Sequence, residues 1–224
     1  MSVEILHAFG NPNIGVFIAV SEKWALLPPS APEKVEQALQ RNLGTNVIRT
    51  TIGDSSLLGI LCVMNSKGIV IGNLVKPDEV SKLRKVIGNE LTIEVLNEIK
   101  ENAIGNLILA NDKAAIVSPL IPQDSRLKIA DALDTEVVEM TLGGSGLVGA
   151  MGVATNRGVL LSPILTDEEA EAVIRTLKVP KGGIGTVNRG NIFVKSGLVA
   201  NSKGALVGYE TTGIEIVRIQ SSLF

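Results

Sequence analysis

The chain has 224 residues, 45% of them hydrophobic, and 21 Lys and Arg against 23 Asp and Glu. That is ample material for a buried core. A net charge of −2 excludes a protein held on nucleic acid by a broad basic field, so any contact with RNA is expected to be local. No apolar run reaches the length of a membrane span, no secretory leader pattern opens the chain, and the single cysteine, Cys62, cannot form an intrachain disulfide. These features together predict a soluble cytoplasmic protein.

Related four-residue turns follow apolar runs at Ser21-Glu22-Lys23-Trp24, Asn65-Ser66-Lys67-Gly68, Asn111-Asp112-Lys113-Ala114, Thr155-Asn156-Arg157-Gly158 and Asn201-Ser202-Lys203-Gly204, with first positions 44, 46, 44 and 46 residues apart. A period in this range means one supersecondary unit copied along the chain. It divides the single domain into repeats at approximately 14–56, 57–102, 103–146, 147–190 and 191–224, with residues 1–13 left over.

Taken in order, residues 3–6 read as a strand. In the first repeat, 14–20 and 24–27 read as strands, and a helix is expected from Ser30, with Glu33 completing a capping box and Val35, Leu39 and Leu43 as its buried stripe. In the second, 58–64 and 69–71 form a hairpin around the Asn65 turn. A helix starts at Pro77, buries Val80, Leu83 and Ile87 and stops at Gly88, and 91–96 returns to a strand. The unit is ββαβ. The third repeat has strands at 107–110 and 114–117, a helix through Ile129 and Leu133, and a strand at 137–140. In the fourth, Thr166 and Glu169 make a capping box before a helix whose apolar face is Ala170, Val173, Ile174 and Leu177.

The fifth repeat differs. After 197–200 and 205–207 the chain runs through Tyr209-Glu210-Thr211-Thr212-Gly213 into 214–219, which alternates and predicts a strand, so its helix is read as missing or reduced to a turn. Both ends of the chain then offer a strand. An open array would need polar caps. A closed five-fold α/β ring, with small sheets around an axis and helices outside, is the architecture expected, and it leaves no exposed edge.

Catalytic chemistry is hard to find. His7 is the sole histidine and reads as an ordinary edge residue. Cys62 lies inside an apolar strand, where a thiol is inert. Gly143-Gly144-Ser145-Gly146 and Lys181-Gly182-Gly183-Ile184-Gly185 lack the residues a phosphate loop needs. The acidic group Asp167-Glu168-Glu169 suits a helix N-terminus, and Lys82, Arg84 and Lys85 a solvated helix face. No metal ion or cofactor is expected, and the chain reads as a protein that acts through its surface.

Gly185-Thr186-Val187-Asn188-Arg189-Gly190, together with Leu58-Gly59-Ile60-Leu61-Cys62-Val63-Met64-Asn65, Ala103-Ile104-Gly105-Asn106 and Asn13-Ile14-Gly15, closely resembles the translation initiation factor 6 family in its archaeal form, and the similarity runs along the whole chain. The resemblance implies a closed five-fold α/β propeller, the pentein arrangement. It also implies a non-enzymatic monomer that binds the large ribosomal subunit, through ribosomal proteins and a short RNA contact, and keeps it from premature association with the small subunit. Carried over by motif, the contacts are Asn65, Gly105 and Asn106. Ile60 stands where the eukaryotic relatives have an arginine, which puts a charged contact there in doubt. The longer eukaryotic C-terminal tail has no counterpart after Phe224. Each choice has a purely structural alternative: Gly105 permitting a tight start to a strand, Asn65 opening a turn, and Asn188 with Arg189 bridging the fourth and fifth repeats. Two other functions compete. One is a pentein enzyme acting on guanidino groups, for which Cys62 and His7 must converge in the central channel; the other is a binding ring unrelated to ribosomes.

Overall fold

The structure, a computed structural model, describes residues 2–224. Among these the chain forms five three-stranded sheets. Each of the first four sheets is a hairpin whose second strand is joined in parallel by a third strand that returns after a helix. Trp24–Leu27, for example, pairs antiparallel with Ala19–Val20 and parallel with Asn46–Arg49, and Gly68–Gly72 does the same with Cys62–Met64 and Thr92–Leu96. The first strands of the hairpins ring a central channel.

The helices lock the sheets together. Glu33–Leu43, Pro77–Ile87, Gln123–Leu133, Asp167–Thr176 and Gly213–Leu223 each lie over the gap between their own sheet and the preceding one. Five apolar cores result, each drawn from two neighbouring repeats. Leu83 and Ile87 pack with Leu26 and Ile48 of the first repeat and Ile69 and Ile71 of the second, and Val35 and Leu39 pack with Leu6 and Leu206 across the junction of the fifth repeat with the first. No core belongs to one repeat, so the array gains its burial only when neighbours meet.

The ring closes through the N-terminal strand. Val3–Leu6 runs parallel to Gly204–Gly208, with Val3 opposite Ala205 and Leu6 opposite Gly208. The C-terminal segment is not a strand. Residues 214–219 belong to the helix Gly213–Leu223, capped by the Thr212 hydroxyl, which accepts from Glu215 N–H. The fifth repeat therefore keeps its helix and borrows only its third strand. The short alternation Ile214-Glu215-Ile216 is overruled by this capping box and by burial of Glu215, Ile219, Ser222 and Leu223 on one helical face.

Two further expectations are corrected. The apolar runs 14–20 and 58–64 are not continuous strands: one-turn helices, Ile14–Phe17 and Leu58–Leu61, precede the strands, as Ile104–Leu107 and Val194–Gly197 do in the third and fifth repeats. The first long helix begins at Glu33 rather than near Ser30 and has no side-chain cap. Pro32 is extended (φ −58°, ψ 146°), and Ala31, which precedes a proline, is disfavoured in a helix. The Thr166–Glu169 box forms as expected. Among the described residues no helix is long and apolar enough to cross a membrane.

Candidate functional site

One end of the channel is built from a single repeated residue. The second position of the first three one-turn helices is Gly15, Gly59 and Gly105, the equivalent turn of the fourth repeat has Gly149, and the spacing is again 44, 46 and 44. These glycines are required by contact. A Cβ would lie 1.9 Å from the Lys195 carbonyl oxygen at Gly15, 1.9 Å from that of Gly15 at Gly59, 2.1 Å from that of Gly59 at Gly105 and 2.3 Å from that of Gly105 at Gly149. Successive backbones thus abut like the leaves of an iris, which only residues without a side chain allow.

The fifth leaf breaks the series. Forty-six residues after Gly149 stands Lys195, and its side chain reaches across the ring to donate a hydrogen bond to the carbonyl of Gly105. Burial lowers the Lys195 pKa to about 8 against the opposing influence of Cys62 nearby. Lys195 is absent from the sequence-based candidates, although the glycine series made it visible as the one departure.

Outside the iris the channel widens into a bowl of about 320 Å³, whose wall includes Val16, Ile60, Asn106, Leu147, Phe193 and Lys195. Leu147 and Phe193 are 39% and 40% exposed. Of the sequence-based candidates, Ile60 and Asn106 are half-buried in this bowl, and Gly105 is a leaf of the iris beneath it. These three come together.

Asn65 does not join them. It lies at the far end of the channel with Asn111, Thr155 and Asn201, 3% exposed, and its carboxamide ties two repeats: Nδ2 donates to the carbonyls of Asn111 (3.2 Å) and Leu133 (2.8 Å), while Oδ1 accepts from Lys67 and Gly68 N–H. Asn111 repeats the clasp to Thr155 and Leu177, and Asn201 to Ser21 and Leu43. The turns that revealed the repeat are thus inter-repeat clasps. Asn188 is likewise internal: buried, it donates to the Pro12 carbonyl at 2.9 Å and accepts from the Thr211 hydroxyl, while exposed Arg189 beside it continues the turn at positive φ.

The channel chemistry is not that of a thiol enzyme. Cys62 lines the inner channel, and burial, partly offset by Lys195, pushes its thiol up to about 12; its Sγ–H donates to the Leu58 carbonyl. A thiol of that pKa is protonated at neutral pH. His7 is elsewhere, exposed at the outer rim and stacked on Tyr209 with centroids 5.2 Å apart. The two do not converge, and an ammonium beside the thiol has the wrong charge for a guanidinium substrate.

Five interlocked ββαβ repeats closed around a channel define a five-fold α/β propeller, the pentein arrangement. Solved structures share this fold: a cyanobacterial arginine dihydrolase (TM-score 0.51, 16% identity, 83% of this chain and 32% of that one) and a dimethylarginine dimethylaminohydrolase variant in adduct with S-methyl-L-thiocitrulline (TM-score 0.51, 12% identity, 94% of this chain and 72% of that one). At these identities the likeness shows the fold alone. The chain belongs to the eIF-6 family, whose model matches residues 3–222. It is 43% identical to translation initiation factor 6 of Pyrobaculum aerophilum over 218 residues, 97% of each chain. Identity is 40% to that of Methanoculleus marisnigri, over 94% of this chain and 93% of that one, and 37% to that of Saccharolobus islandicus, over 100% and 99%.

Proposed function

We propose that this protein binds the large ribosomal subunit and keeps it from premature association with the small subunit, acting by steric occlusion. The observation that carries the reading is membership of the eIF-6 family along nearly the whole chain, next to relatives named translation initiation factor 6. A rigid ring with a protonated, buried thiol and no histidine beside it suits work done by a surface. The docking face in this reading is the bowl face, because it brings Ile60, Gly105 and Asn106 together and exposes Leu147 and Phe193 beside them. Asn65 supports the ring rather than the contact.

Sedimentation of purified subunits with added protein is the test. The protein is expected to comigrate with the large subunit and to reduce the joined-ribosome peak; failure to do both overturns the proposal. Asn106→Asp is expected to weaken comigration with little change in melting temperature. Asn65→Ala removes two buried inter-repeat hydrogen bonds and is expected to cost about 1–3 kcal/mol of stability, while the folded fraction binds as before. Lost binding at full stability for Asn65→Ala would move the face to the other end of the channel.

A further inference from the structure

The bowl is a built site with one charge in it. Among the described residues, Lys195 is the sole charged side chain on its wall, and its ammonium, enclosed at the base, has a single protein acceptor, the Gly105 carbonyl. An ammonium carries three donors, so two N–H groups have no partner among the described residues. The neighbouring Asn106 carboxamide, half-buried on the same wall, also has none. Among the other polar groups, the Asn13 side-chain oxygen accepts from the Ser196 hydroxyl at 3.2 Å, and Asn191 donates to that hydroxyl at 2.9 Å, which leaves the Asn13 amide nitrogen as a further donor on the wall. Above them the wall is apolar, with Val16, Ile60, Leu147 and Phe193. A concave site of about 320 Å³, mostly apolar with a few convergent donors at its base, is the form a specific ligand site takes.

Charge and size select the ligand. An enclosed ammonium with unpaired donors calls for an anion, and charge-assisted hydrogen bonds in such a setting are strong. A nucleic-acid phosphate is disfavoured, because no second cation lines the wall and the apolar rim does not suit a hydrated ribose-phosphate. An apolar group ending in a carboxylate matches rim and base together. We infer that the bowl receives a carboxylate carried on an apolar stretch of a ribosomal protein, with Lys195 as its counter-ion and Asn106 as its second donor. This rests on the docking reading above. The low pKa of Lys195 in the free protein fits a cation that lacks its partner.

The test has two arms. In the first, the isolated protein is titrated with benzoate, benzamide and phenyl phosphate and followed by amide NMR shifts. Benzoate is expected to give saturable shifts around Asn106 and Lys195 in the millimolar range of small fragments, and neutral benzamide none. Lys195→Met, unbranched and of similar length, is expected to lose about tenfold or more of this affinity, and so is Asn106→Asp, which sets a fixed carboxylate beside the incoming one. Melting temperatures of both variants confirm that they fold. Absence of saturable benzoate binding overturns the inference, and tighter binding of phenyl phosphate overturns it in favour of an RNA phosphate. In the second arm the proteins are pelleted with large subunits, and Lys195→Met is expected to bind about tenfold more weakly than wild type. If wild type and Lys195→Met pellet equally, the inference fails and the docking reading stands. If benzoate binds at Lys195 but wild type does not pellet, the docking reading fails and with it the ribosomal partner.

Discussion

Gly59 and Gly213 are chemically identical and should respond oppositely to the same added methyl group. At Gly59 the methyl would meet the backbone oxygen of Gly15 in the preceding leaf, which cannot swing aside, so Gly59→Ala is expected to cost about 3 kcal/mol or more. Gly213 opens the last long helix with nothing within 4 Å of its Cβ position, and Gly213→Ala should gain about 0.5 kcal/mol by restricting the unfolded chain. Urea denaturation of both variants checks the pair; a mild Gly59→Ala would mean that the iris can relax. Glu79 carries a pH dependence. Burial pushes its carboxyl up, but the N–H groups of Lys76, Asp54 and Gly53 and the Thr51 hydroxyl together outweigh burial and hold it below its usual 4.5. A depressed carboxylate stabilises the fold above pH 4.5, and that contribution is lost as the pH falls from there through the folded-state value. Glu79→Gln should therefore be less stable than wild type at neutral pH and show a shallower fall in urea midpoint below pH 4.5. Parallel curves would overturn the assignment.

Glu79 is one of three glutamates placed alike at the start of a long helix, and they explain how the long helices hold their neighbours. At the third position of their helices, Glu79, Glu169 and Glu215 each accept from the helix N-cap N–H and from a turn that ends the preceding repeat: Gly53 and Asp54, Gly143, and Gly190 respectively. Glu215 also takes the Thr186 hydroxyl at 2.7 Å. Thr212→Ala, which removes a cap alone, is expected to cost about 1 kcal/mol, and Glu215→Ala, which also frees the turn 187–191, about 2–3 kcal/mol; a smaller cost for Glu215→Ala than for Thr212→Ala would remove the clamp from the account. These clamps also show what was readable beforehand. The period, the hairpins and four long helices follow from turn residues and apolar spacing, which are local. The fifth helix is hidden because it is rich in β-branched residues and opens on the alternating Ile214-Glu215-Ile216, although the Thr212–Glu215 pair stands in plain view. The one-turn helices were hidden because an apolar run of seven residues has no periodicity to divide it. The bowl was half legible: Ile60, Gly105 and Asn106 came from family motifs, whereas the inward role of Asn65 depends on residues 46 and 68 positions away, and Lys195 meets Gly105 only once the ring has closed.

The molecule as a whole is a circle of five cores, each shared by two repeats, and one of them, between the fifth repeat and the first, is completed by the strand Val3–Leu6. Deleting residues 2–7 should therefore do more than remove one sheet edge: Leu6 leaves that core and the ring opens. The expected outcome is loss of a cooperative thermal transition, with partial recovery when a peptide of residues 1–8 is added; a deletion variant that melts as sharply as the intact chain would mean that the four other junctions suffice. The same strand sets an order of events in biosynthesis. Its partner, Gly204–Gly208, lies about two hundred residues downstream, so this strand leaves the ribosome long before its partner and is among the last to find its place. A contact that distant makes folding slow, and until it forms the newborn protein carries an unpaired strand that can pair with a neighbouring chain instead. A protein made in the crowd of translating ribosomes thus depends, for its final step, on keeping that early strand free.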